Sequence, residues 1–266
     1  MKTPIKSTKL CRLLRYRIHD TGFDYTINYT KSTVEKHLLP LSRDIEEDYL
    51  RNKRKLYIIG VSGPPGSGKS SISSILLQML TNRGLSVNIL PLDGFHLRNQ
   101  DLKAKRITVQ NRSYSLHELK GAKETYDVKK LVECLEKLHR GGGFFWPLYL
   151  RTIHEPVEDG LFISNQHGIY IIEGNYLFLN VSPWKQLAPF FQKKIFILPK
   201  KKFLKGRIVR RKQRGGYSRQ EALMHFRRSD LRNINEVLSL SSGYDLLIRQ
   251  RGRYSYEVIR YDPLPL

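Results

Sequence analysis

The residues from Gly63 to Ser70 combine the groups that bind a phosphate chain. Their sequence fits the pattern G-x-x-x-x-G-K-S, and it lies between an apolar run at residues 56–61 and a helix-like stretch at residues 71–80. Glycines let successive backbone N–H groups point at an anion, and the following helix adds the positive end of its dipole. The Lys69 ammonium would bind the terminal phosphates of a nucleotide, and the Ser70 hydroxyl would coordinate Mg²⁺. The strand, loop and helix context favours a nucleotide-binding loop over a glycine-rich turn that binds nothing.

Two carboxylates directly follow predicted strands. Residues 86–92 predict a strand that ends before Asp93, and residues 169–172 predict a buried strand that ends before Glu173. Because ligands bind at the carboxyl ends of strands in open α/β sheets, we expect Asp93 to lie near Lys69. Asp93 could take the proton of an acceptor hydroxyl, and Glu173 could order Mg²⁺ or hold that base. The structural alternatives are an ordinary Asp-Gly turn and a carboxylate that caps nearby backbone.

Two further segments carry polar groups that suit a ligand site. Residues 144–156 are aromatic and contain Tyr149, Arg151 and His154. These three line a substrate pocket, or the segment is an aromatic hairpin over the core with a surface histidine. Residues 201–214 predict a basic helix that ends at Gly215-Gly216 and carries Arg207, Arg210, Arg211 and Arg214. Arginines beside such a hinge suit a lid that closes on nucleotide phosphates, and a solvated basic face is the alternative.

The remaining elements are predicted to position these groups. Residues 14–18 and 23–29 alternate in polarity, which predicts a β-hairpin with its turn at 20–22. A capping box at 32–35 predicts a short helix toward Pro40, and a second helix begins at Asp44. Residues 97–125 predict an irregular, mobile, basic loop that could cover the site, and Asp127 begins an amphipathic helix. Residues 194–198 and 245–248 predict further strands, the latter the last one.

Composition limits the class of protein. The chain has 266 residues, 40% of them hydrophobic, which suits one α/β domain with extensions or at most two domains. We find no apolar run long enough for a membrane span and no signal core behind the basic N-terminus. Cys11 and Cys134 fit no metal spacing, so we expect a reduced, cytoplasmic protein.

The charge is strongly positive, with 47 Lys and Arg against 24 Asp and Glu and a formal net charge of +23. Such a surface attracts polyanions, so it favours either nucleic-acid binding or an enzyme that handles phosphates. The basic residues are spread along the chain, and neither a zinc finger nor an RNA-binding aromatic signature accompanies them. Nucleic acid is therefore the less favoured partner.

The ordered set of motifs resembles the P-loop kinases grouped with uridine kinase, phosphoribulokinase and bacterial pantothenate kinase. Within that group the chain is most similar to a bacterial branch of fructose-transport or nucleoside kinases. The matching segments are 63–70, 92–96, 121–127, 146–149, 154–156 and 172–176, together with Arg207, Arg211, Gly215-Gly216, Asp230 and Asn233. The resemblance spans roughly residues 30–250. It implies a P-loop NTPase fold of the α/β class, a three-layer sandwich with a central, mainly parallel sheet and a helical lid. We expect residues 1–54 to form a small β/α extension packed on the core, and residues 55–266 to form the kinase domain with its lid around 201–217.

The resemblance also implies roles for individual residues. Asp93 is expected to be the general base, with Lys69 as the second catalytic residue. The nucleotide would be bound by Gly63, Gly66, Ser67, Gly68, Lys69, Ser70, Ser71, Arg207 and Arg211. The acceptor would be bound by His96, Tyr149, Arg151, His154 and Asn175, and Mg²⁺ by Ser70 and Glu173. The implied cofactors are ATP and Mg²⁺, and the substrate is a small molecule with a hydroxyl. Proteins of this family often form dimers, so both a monomer and a homodimer stay open. We expect no membrane partner.

Two positions depart from the family pattern. Lys123 stands where the family usually has proline, and Leu150 stands where an aspartate usually follows the tyrosine. That carboxylate often holds a sugar or nucleoside hydroxyl, so a sugar, a nucleoside and a pantothenate-like alcohol all remain open as acceptors. We expect an ATP- and Mg²⁺-dependent kinase that phosphorylates a hydroxyl of a small metabolite. The alternatives are a nucleotide-dependent nucleic-acid-binding or regulatory protein and an inactive kinase-like scaffold.

Overall fold

A six-stranded sheet forms the centre of the computed structural model. The model describes residues 12–20, 23–51, 56–109, 111–164 and 167–260. The strands of the sheet are β3 (Leu56–Ser62), β4 (Val87–Pro91), β9 (Gly168–Gly174), β10 (Lys193–Leu198), β11 (Leu246–Gln250) and β12 (Tyr256–Arg260). They lie in the order β12-β11-β10-β3-β9-β4, and every neighbouring pair is parallel except β11 and β12. The expected mainly parallel sheet is confirmed.

Helices and smaller hairpins surround this sheet. The helices are α1 (Lys31–Thr33), α2 (Leu39–Arg51), α3 (Lys69–Thr81), α4 (Asn99–Ala104), α5 (Val128–Arg140), α6 (Lys201–Arg214), α7 (Arg219–His225) and α8 (Leu231–Leu240). Three antiparallel hairpins pair β1 (Leu13–Asp20) with β2 (Phe23–Thr30), β5 (Arg106–Val109) with β6 (Arg112–Ser115), and β7 (Phe144–Leu150) with β8 (Glu155–Ile163). Within the described residues, no helix combines the length and apolarity needed to cross a bilayer. A cytoplasmic location stays a prediction.

Strand β9 shows why the sheet needs a layer on each face. Its residues are almost all buried, and successive side chains point to opposite faces. Ile169 and Ile171 pack into the core that includes α3 and α2, whereas Tyr170 and Ile172 pack into the core that includes α5. The three-layer arrangement predicted from the sequence is therefore confirmed.

The first hairpin is joined to the far edge of the sheet. Ile18 and Tyr29 are buried in the same core as α3. The Thr33 hydroxyl donates to the Tyr256 carbonyl at 3.1 Å and accepts from the Tyr256 N–H at 2.9 Å. The Thr30 N–H donates to the Tyr254 carbonyl at 2.9 Å. The division of the chain at residue 54 stays a prediction. Residues 1–11, the turn residues 21–22, residues 52–55, 110, 165–166 and 261–266 lie outside the described residues.

The start of the helical segment differs from the prediction. The helix begins at Lys31, and Thr30 is its N-cap because its side chain accepts from the Thr33 N–H at 3.2 Å. The predicted capping box two residues later is therefore wrong. Pro40 lies inside the helical segment and does not end it. The π-helical turn Val34–Leu38 precedes Pro40 and changes the backbone hydrogen-bond pattern there, because the Leu39 N–H donates to the Val34 carbonyl five residues back. The predicted break between two helices is absent from this part of the described chain.

Two other expectations about the elements were wrong. Residues 97–125 are not irregular, because they contain α4, the β5–β6 hairpin and a 3₁₀ turn at Lys123–Thr125. These elements are three to six residues long, too short to show a periodic pattern. Residues 245–248 do not belong to the last strand, since β12 follows β11 and pairs with it antiparallel at the edge.

A close backbone approach at Gly94 sets the position of the Asp93 turn. This turn, Leu92–Phe95, follows β4, and β7 crosses directly over it. A Cβ atom on Gly94 would stand 1.9 Å from the Pro147 carbonyl oxygen, so only glycine fits here. The Trp146 indole N–H donates to the Pro91 carbonyl at 3.0 Å and holds the two segments together.

Replacing Thr33 with valine tests the link between β12 and α1, the helix that directly follows the first hairpin. Thr33→Val keeps the shape but leaves the Tyr256 N–H and carbonyl without this partner in a buried place. We expect the free energy of unfolding in urea to fall by about 1–3 kcal/mol. Ser32→Ala, at the exposed neighbouring position, should stay within about 0.5 kcal/mol of the parent. Equal effects of the two substitutions would contradict the assignment.

Gly94→Ala tests the backbone contact over the Asp93 turn. The added methyl group meets a main-chain oxygen that has no rotamer to move, so we expect a loss of about 1–3 kcal/mol in urea unfolding. Gly206→Ala is the matched control, because the nearest atom to its new Cβ is Arg210 Nη1 at 3.5 Å. Inside α6 this alanine should be neutral or stabilising by up to about 1 kcal/mol. A Gly94→Ala variant as stable as this control would show that the hairpin does not constrain the turn.

Candidate functional site

One cavity of about 520 Å³ lies over the carboxyl ends of β3, β4 and β9. Its size is in the range of small-ligand sites. Every predicted site residue lines it except Gly63 and Ser67, which are buried within the phosphate-loop backbone. The structure therefore brings the separately predicted groups into one place, as the strand-end argument required.

The loop after β3 has the backbone shape of an anion cradle. Gly66 and Gly68 have φ angles of +73° and +103°, which side-chain-bearing residues rarely adopt. The Ser67 N–H donates to the Pro64 carbonyl at 3.1 Å and closes the turn. Gly68 then caps α3, so the first N–H groups of that helix open into the cavity.

Lys69 reaches back across this loop. Its Nζ donates to the carbonyls of Gly63 at 2.9 Å and Pro64 at 3.2 Å, and to Asn175 Oδ1 at 2.7 Å. Burial lowers the pKa of Lys69 to about 8, with Glu173 and Asp93 opposing that shift. All three hydrogen-bond partners are neutral oxygens, so none of these three bonds neutralises the charge of the ammonium.

Ser70 and Glu173 form an oxygen-donor pair beside Lys69. The Ser70 hydroxyl donates to Glu173 Oε1 at 3.0 Å. Parallel pairing of β3 with β9 brings Glu173 opposite Val61, which fixes the carboxylate at the loop. A hydroxyl and a carboxylate are hard oxygen ligands that suit Mg²⁺, which often takes one or two protein ligands and completes its shell with water and phosphate oxygens. No group of three or more potential metal-ligating His, Cys, Asp or Glu side chains occurs in the described ranges.

Asp93 is held as an anion. The Tyr126 hydroxyl donates to Asp93 Oδ1 at 3.3 Å. Burial alone would raise the pKa of Asp93, but the charges of His96, Arg151 and Arg211 outweigh it and lower the pKa below its ordinary value. The His96 Nδ1–H donates to the Asp93 carbonyl at 2.9 Å, and burial lowers the pKa of His96.

A second wall of the cavity comes from the aromatic hairpin and the segment before α5. The His96 and Tyr149 rings lie 5.3 Å apart, and Lys120 Nζ lies 5.1 Å from the centre of the Tyr149 ring. Lys120 also donates to the His154 carbonyl at 2.7 Å. His154 has a φ of +54° at the turn between β7 and β8, and its ring lies 6.1 Å from that of Tyr217. Residues 144–156 therefore form a hairpin over the core and also line the cavity.

Helix α6 turns its arginines toward the cavity. Arg207 donates from Nη1 to the Gly66 carbonyl at 3.1 Å and from Nη2 to the Tyr256 hydroxyl at 3.0 Å. Arg211 lowers the pKa of both Lys69 and Asp93, so it lies within electrostatic reach of both. The four predicted lid arginines all line the cavity.

Several lining residues were missed by the sequence reasoning. Strand β2 forms a wall with residues 25–29, and Arg214 lies 5.7 Å from the centre of the Tyr25 ring. The Tyr29 and Tyr256 rings lie 5.5 Å apart. Nothing local in the sequence marks this wall, because it depends on pairing between the two ends of the chain. Lys120 and Tyr126 lie within or beside the motif segment 121–127, which was the available signal for them.

Comparisons with known proteins identify the family. The model of the phosphoribulokinase / uridine kinase family matches residues 58–237. An uncharacterised Escherichia coli K12 protein, YggC, is 32% identical over 239 residues, which cover 88% of this chain and 96% of YggC. A Schizosaccharomyces pombe protein provisionally named uridine kinase C227.14 is 28% identical over 210 residues, 76% of this chain and 86% of its own.

Solved structures agree with these sequence relatives. A protein from Silicibacter sp. TM1040, provisionally described as a fructose transport system kinase, has a TM-score of 0.69 and 27% identity, and the match covers 79% of this chain and 98% of that one. The fold is also similar to YFH7 from Saccharomyces cerevisiae, with a TM-score of 0.63 and 17% identity. The family match covers more than half of the chain, so the resemblance and the P-loop kinase fold inferred from the motifs are confirmed. The chain belongs to the phosphoribulokinase / uridine kinase family of P-loop small-molecule kinases.

Proposed function

We propose that this protein is an ATP- and Mg²⁺-dependent kinase that transfers the γ-phosphoryl group to a hydroxyl of a small metabolite. The observation that carries the proposal is that one cavity contains Lys69, the Ser70–Glu173 pair and Asp93. These groups correspond to the three tasks of phosphoryl transfer: charge stabilisation, metal coordination and orientation of the attacking hydroxyl.

The nucleotide side follows from the loop and α6. Backbone N–H groups at the start of α3 and the Lys69 ammonium would bind the phosphate chain. Phosphate oxygens are stronger acceptors than the neutral oxygens that Lys69 contacts, so they can replace the Gly63 and Pro64 carbonyls. Arg207 is hydrogen-bonded to the backbone of the loop, and Arg211 lines the same cavity, where its charge would attract the phosphate chain.

Ser70 and Glu173 would hold Mg²⁺ through their oxygens. The ion, when bound, neutralises negative charge on the phosphate oxygens. Lys69 donates to Asn175 Oδ1, and this hydrogen bond would help to hold the ammonium in the cavity that the Ser70–Glu173 pair also lines.

Asp93 would orient the acceptor hydroxyl and take its proton. The hydroxyl oxygen then bonds to the γ-phosphorus, the bond from that phosphorus to the bridging oxygen breaks, and ADP leaves with its electron pair. The Tyr126 hydroxyl holds Asp93 Oδ1, which restricts rotation of the carboxylate. Because the pKa of Asp93 is lowered, the group is ionised at neutral pH and is ready for this role.

Replacing Asp93 with asparagine separates binding from transfer. Asp93→Asn keeps the size of the side chain and removes the proton acceptor, so we expect kcat to fall about 10²–10⁴-fold. The Kd for ATP, measured by calorimetry with Mg²⁺, should change less than about threefold. Asp101→Asn, on the exposed face of α4, is the control and should leave both quantities unchanged. Equal losses of ATP binding and of phosphoryl transfer in Asp93→Asn would contradict the role of Asp93 as general base.

We expect Lys69 to take up a proton when nucleotide binds. The free group has a pKa of about 8, and a phosphate anion favours its charged form, so the pKa rises in the complex. Between the two pKa values the complex holds more protons than the free protein, and ATP affinity therefore falls as the pH rises above 8. Calorimetry in buffers of different ionisation enthalpy should show this uptake near about pH 9.

Lys69→Arg is the control for that experiment, because a guanidinium does not titrate in this range. The variant should lose the component of proton uptake that belongs to Lys69. Proton uptake of the same size in the variant would show that another group is responsible.

The net charge of +23 favours a second candidate, a nucleotide-dependent protein that binds nucleic acid. Its signature is a steep decrease of RNA affinity with salt, altered by ATP. Binding of single-stranded RNA that is weak and unaffected by ATP would leave the kinase as the remaining candidate.

A further inference from the structure

The order of the strands decides in which direction a nucleotide extends through the cavity. The proposed base Asp93 follows β4, at one edge of the sheet, and the phosphate loop follows β3, nearer the middle. In-line transfer places the leaving ADP on the side of the γ-phosphorus opposite the acceptor hydroxyl. The nucleoside part of the nucleotide therefore extends from the loop away from Asp93, toward the β12 edge of the sheet.

The N-terminal hairpin and the turn between β11 and β12 enclose that end of the cavity. The Thr30 N–H donates to the Tyr254 carbonyl at 2.9 Å, and the Tyr29 and Tyr256 rings lie 5.5 Å apart. Residues 25–29 of β2 line the cavity, and so does Tyr254. The hairpin precedes residue 58, where the family match begins. This wall is therefore a part of the chain to which the family match assigns no role.

The alternation of hydrogen bonds along β2 decides which backbone groups face away from β1. In an antiparallel pair, every second residue exchanges hydrogen bonds with the partner strand, and the residues between direct both N–H and C=O to the outer edge. Thr30 is of the second kind, because its N–H donates to Tyr254, outside the hairpin. Asn28 and Thr26 lie two and four residues before Thr30 in the same strand. Their N–H and C=O groups therefore also point to the outer edge.

This outer edge of β2 opens into the cavity. Within the described strands β2 pairs with β1 alone, and both Thr26 and Asn28 line the cavity. No hydrogen bond joins the outward backbone groups of these two residues to any other part of the chain that the structure describes. An unpaired strand edge presents donors and acceptors in a row. A ligand that has a donor beside an acceptor can pair with it, as an added strand does.

Flat side chains lie beside this edge. The Arg214 guanidinium of α6 lies 5.7 Å from the centre of the Tyr25 ring. The Arg253 guanidinium lies 5.2 Å from the centre of the Tyr254 ring. All four residues line the cavity. Because aromatic rings and guanidinium planes stack on nucleobases, this end of the cavity suits a planar heterocycle.

We propose that the outer edge of β2 binds the adenine base of the nucleotide, with the Thr26 carbonyl accepting from the 6-amino group and the Asn28 N–H donating to N1. This inference rests on the proposed kinase function and names how its nucleotide is recognised. Adenine carries an amine donor directly beside a ring-nitrogen acceptor, which is the combination that a strand edge can pair with. The N-terminal hairpin then contributes to nucleotide recognition as well as to the wall of the cavity.

Proline at position 28 removes the proposed donor and spares the hairpin. The Asn28 N–H lies outside the β1–β2 ladder, and proline is tolerated at such edge positions. Asn28→Pro is compared with Asn28→Ala, since both remove the side-chain amide and only proline removes the N–H. We expect calorimetry to give a Kd for Mg²⁺-ATP about fivefold or more weaker in Asn28→Pro than in Asn28→Ala. The Kd for Mg²⁺-tripolyphosphate, which has no base, should agree within about twofold between them.

Arg15→Pro is the matched control. Arg15 lies directly opposite Asn28 in the hairpin and does not line the cavity. By the same alternation its N–H points away from β2, so proline makes the same backbone change on the other edge. We expect both Kd values of Arg15→Pro to stay within about twofold of the parent. Circular dichroism and the Kd for tripolyphosphate exclude a folding defect in either proline variant.

Purine riboside triphosphate tests the contact from the side of the ligand, because it lacks only the 6-amino group of ATP. We expect the parent protein to bind its Mg²⁺ complex about threefold or more weakly than Mg²⁺-ATP, since the Thr26 carbonyl loses its donor.

The outcomes separate this inference from the proposal on which it rests. Equal ATP affinity in Asn28→Pro and Asn28→Ala, an equal loss in Arg15→Pro, or a loss of tripolyphosphate binding as large as that of ATP overturns the strand-edge contact and leaves the kinase in place. Equal binding of the two nucleotides by the parent does the same. A parent protein that binds neither ATP nor tripolyphosphate and releases no ADP overturns the kinase and, with it, the base site.

Discussion

The Lys69 ammonium lies buried in the loop after β3, where its three described hydrogen bonds all go to neutral oxygens. Burying a cation in this way costs free energy, and the protein offsets that cost with nearby carboxylates and a later anionic ligand. Glu173 and Asp93 both raise the pKa of Lys69. Because these two residues stand at the carboxyl ends of β9 and β4, the parallel register of the sheet decides whether the charges meet.

The peripheral elements support this arrangement of charge. Gly94 lets the β7 backbone pass directly over the Asp93 turn, and that crossing brings Tyr149 beside His96. On the other side, Arg207 joins the loop to β12 through the Tyr256 hydroxyl. β12 is in turn tied by Thr33 to α1, which directly follows the N-terminal hairpin. The two ends of the chain therefore stabilise a site whose chemical groups come from its middle.

The strands and the strand-end residues could be predicted because their signals are local. Buried parallel strands are continuous apolar runs, and the phosphate loop has a fixed pattern, so the places of Lys69 and Asp93 followed from sequence. The wall formed by β2 could not be predicted, since it depends on contacts between distant parts of the chain, such as that between the Tyr29 and Tyr256 rings. The helix start at Lys31 was misplaced because the β2 residue Thr30 supplies the cap. The π-helical turn before Pro40 could not be predicted either, because a π turn leaves no characteristic spacing of apolar residues in the sequence.

Transfer of label from ATP is the most direct test of the central claim, that the cavity groups act together as a kinase. The protein would be incubated with ATP labelled at the γ-phosphate, Mg²⁺ and a mixture of small hydroxylated metabolites, and the labelled products would be separated. The account predicts label in a phosphorylated small molecule, dependent on Mg²⁺ and absent with Asp93→Asn. Label found only in inorganic phosphate, or transferred equally by the variant, would contradict it.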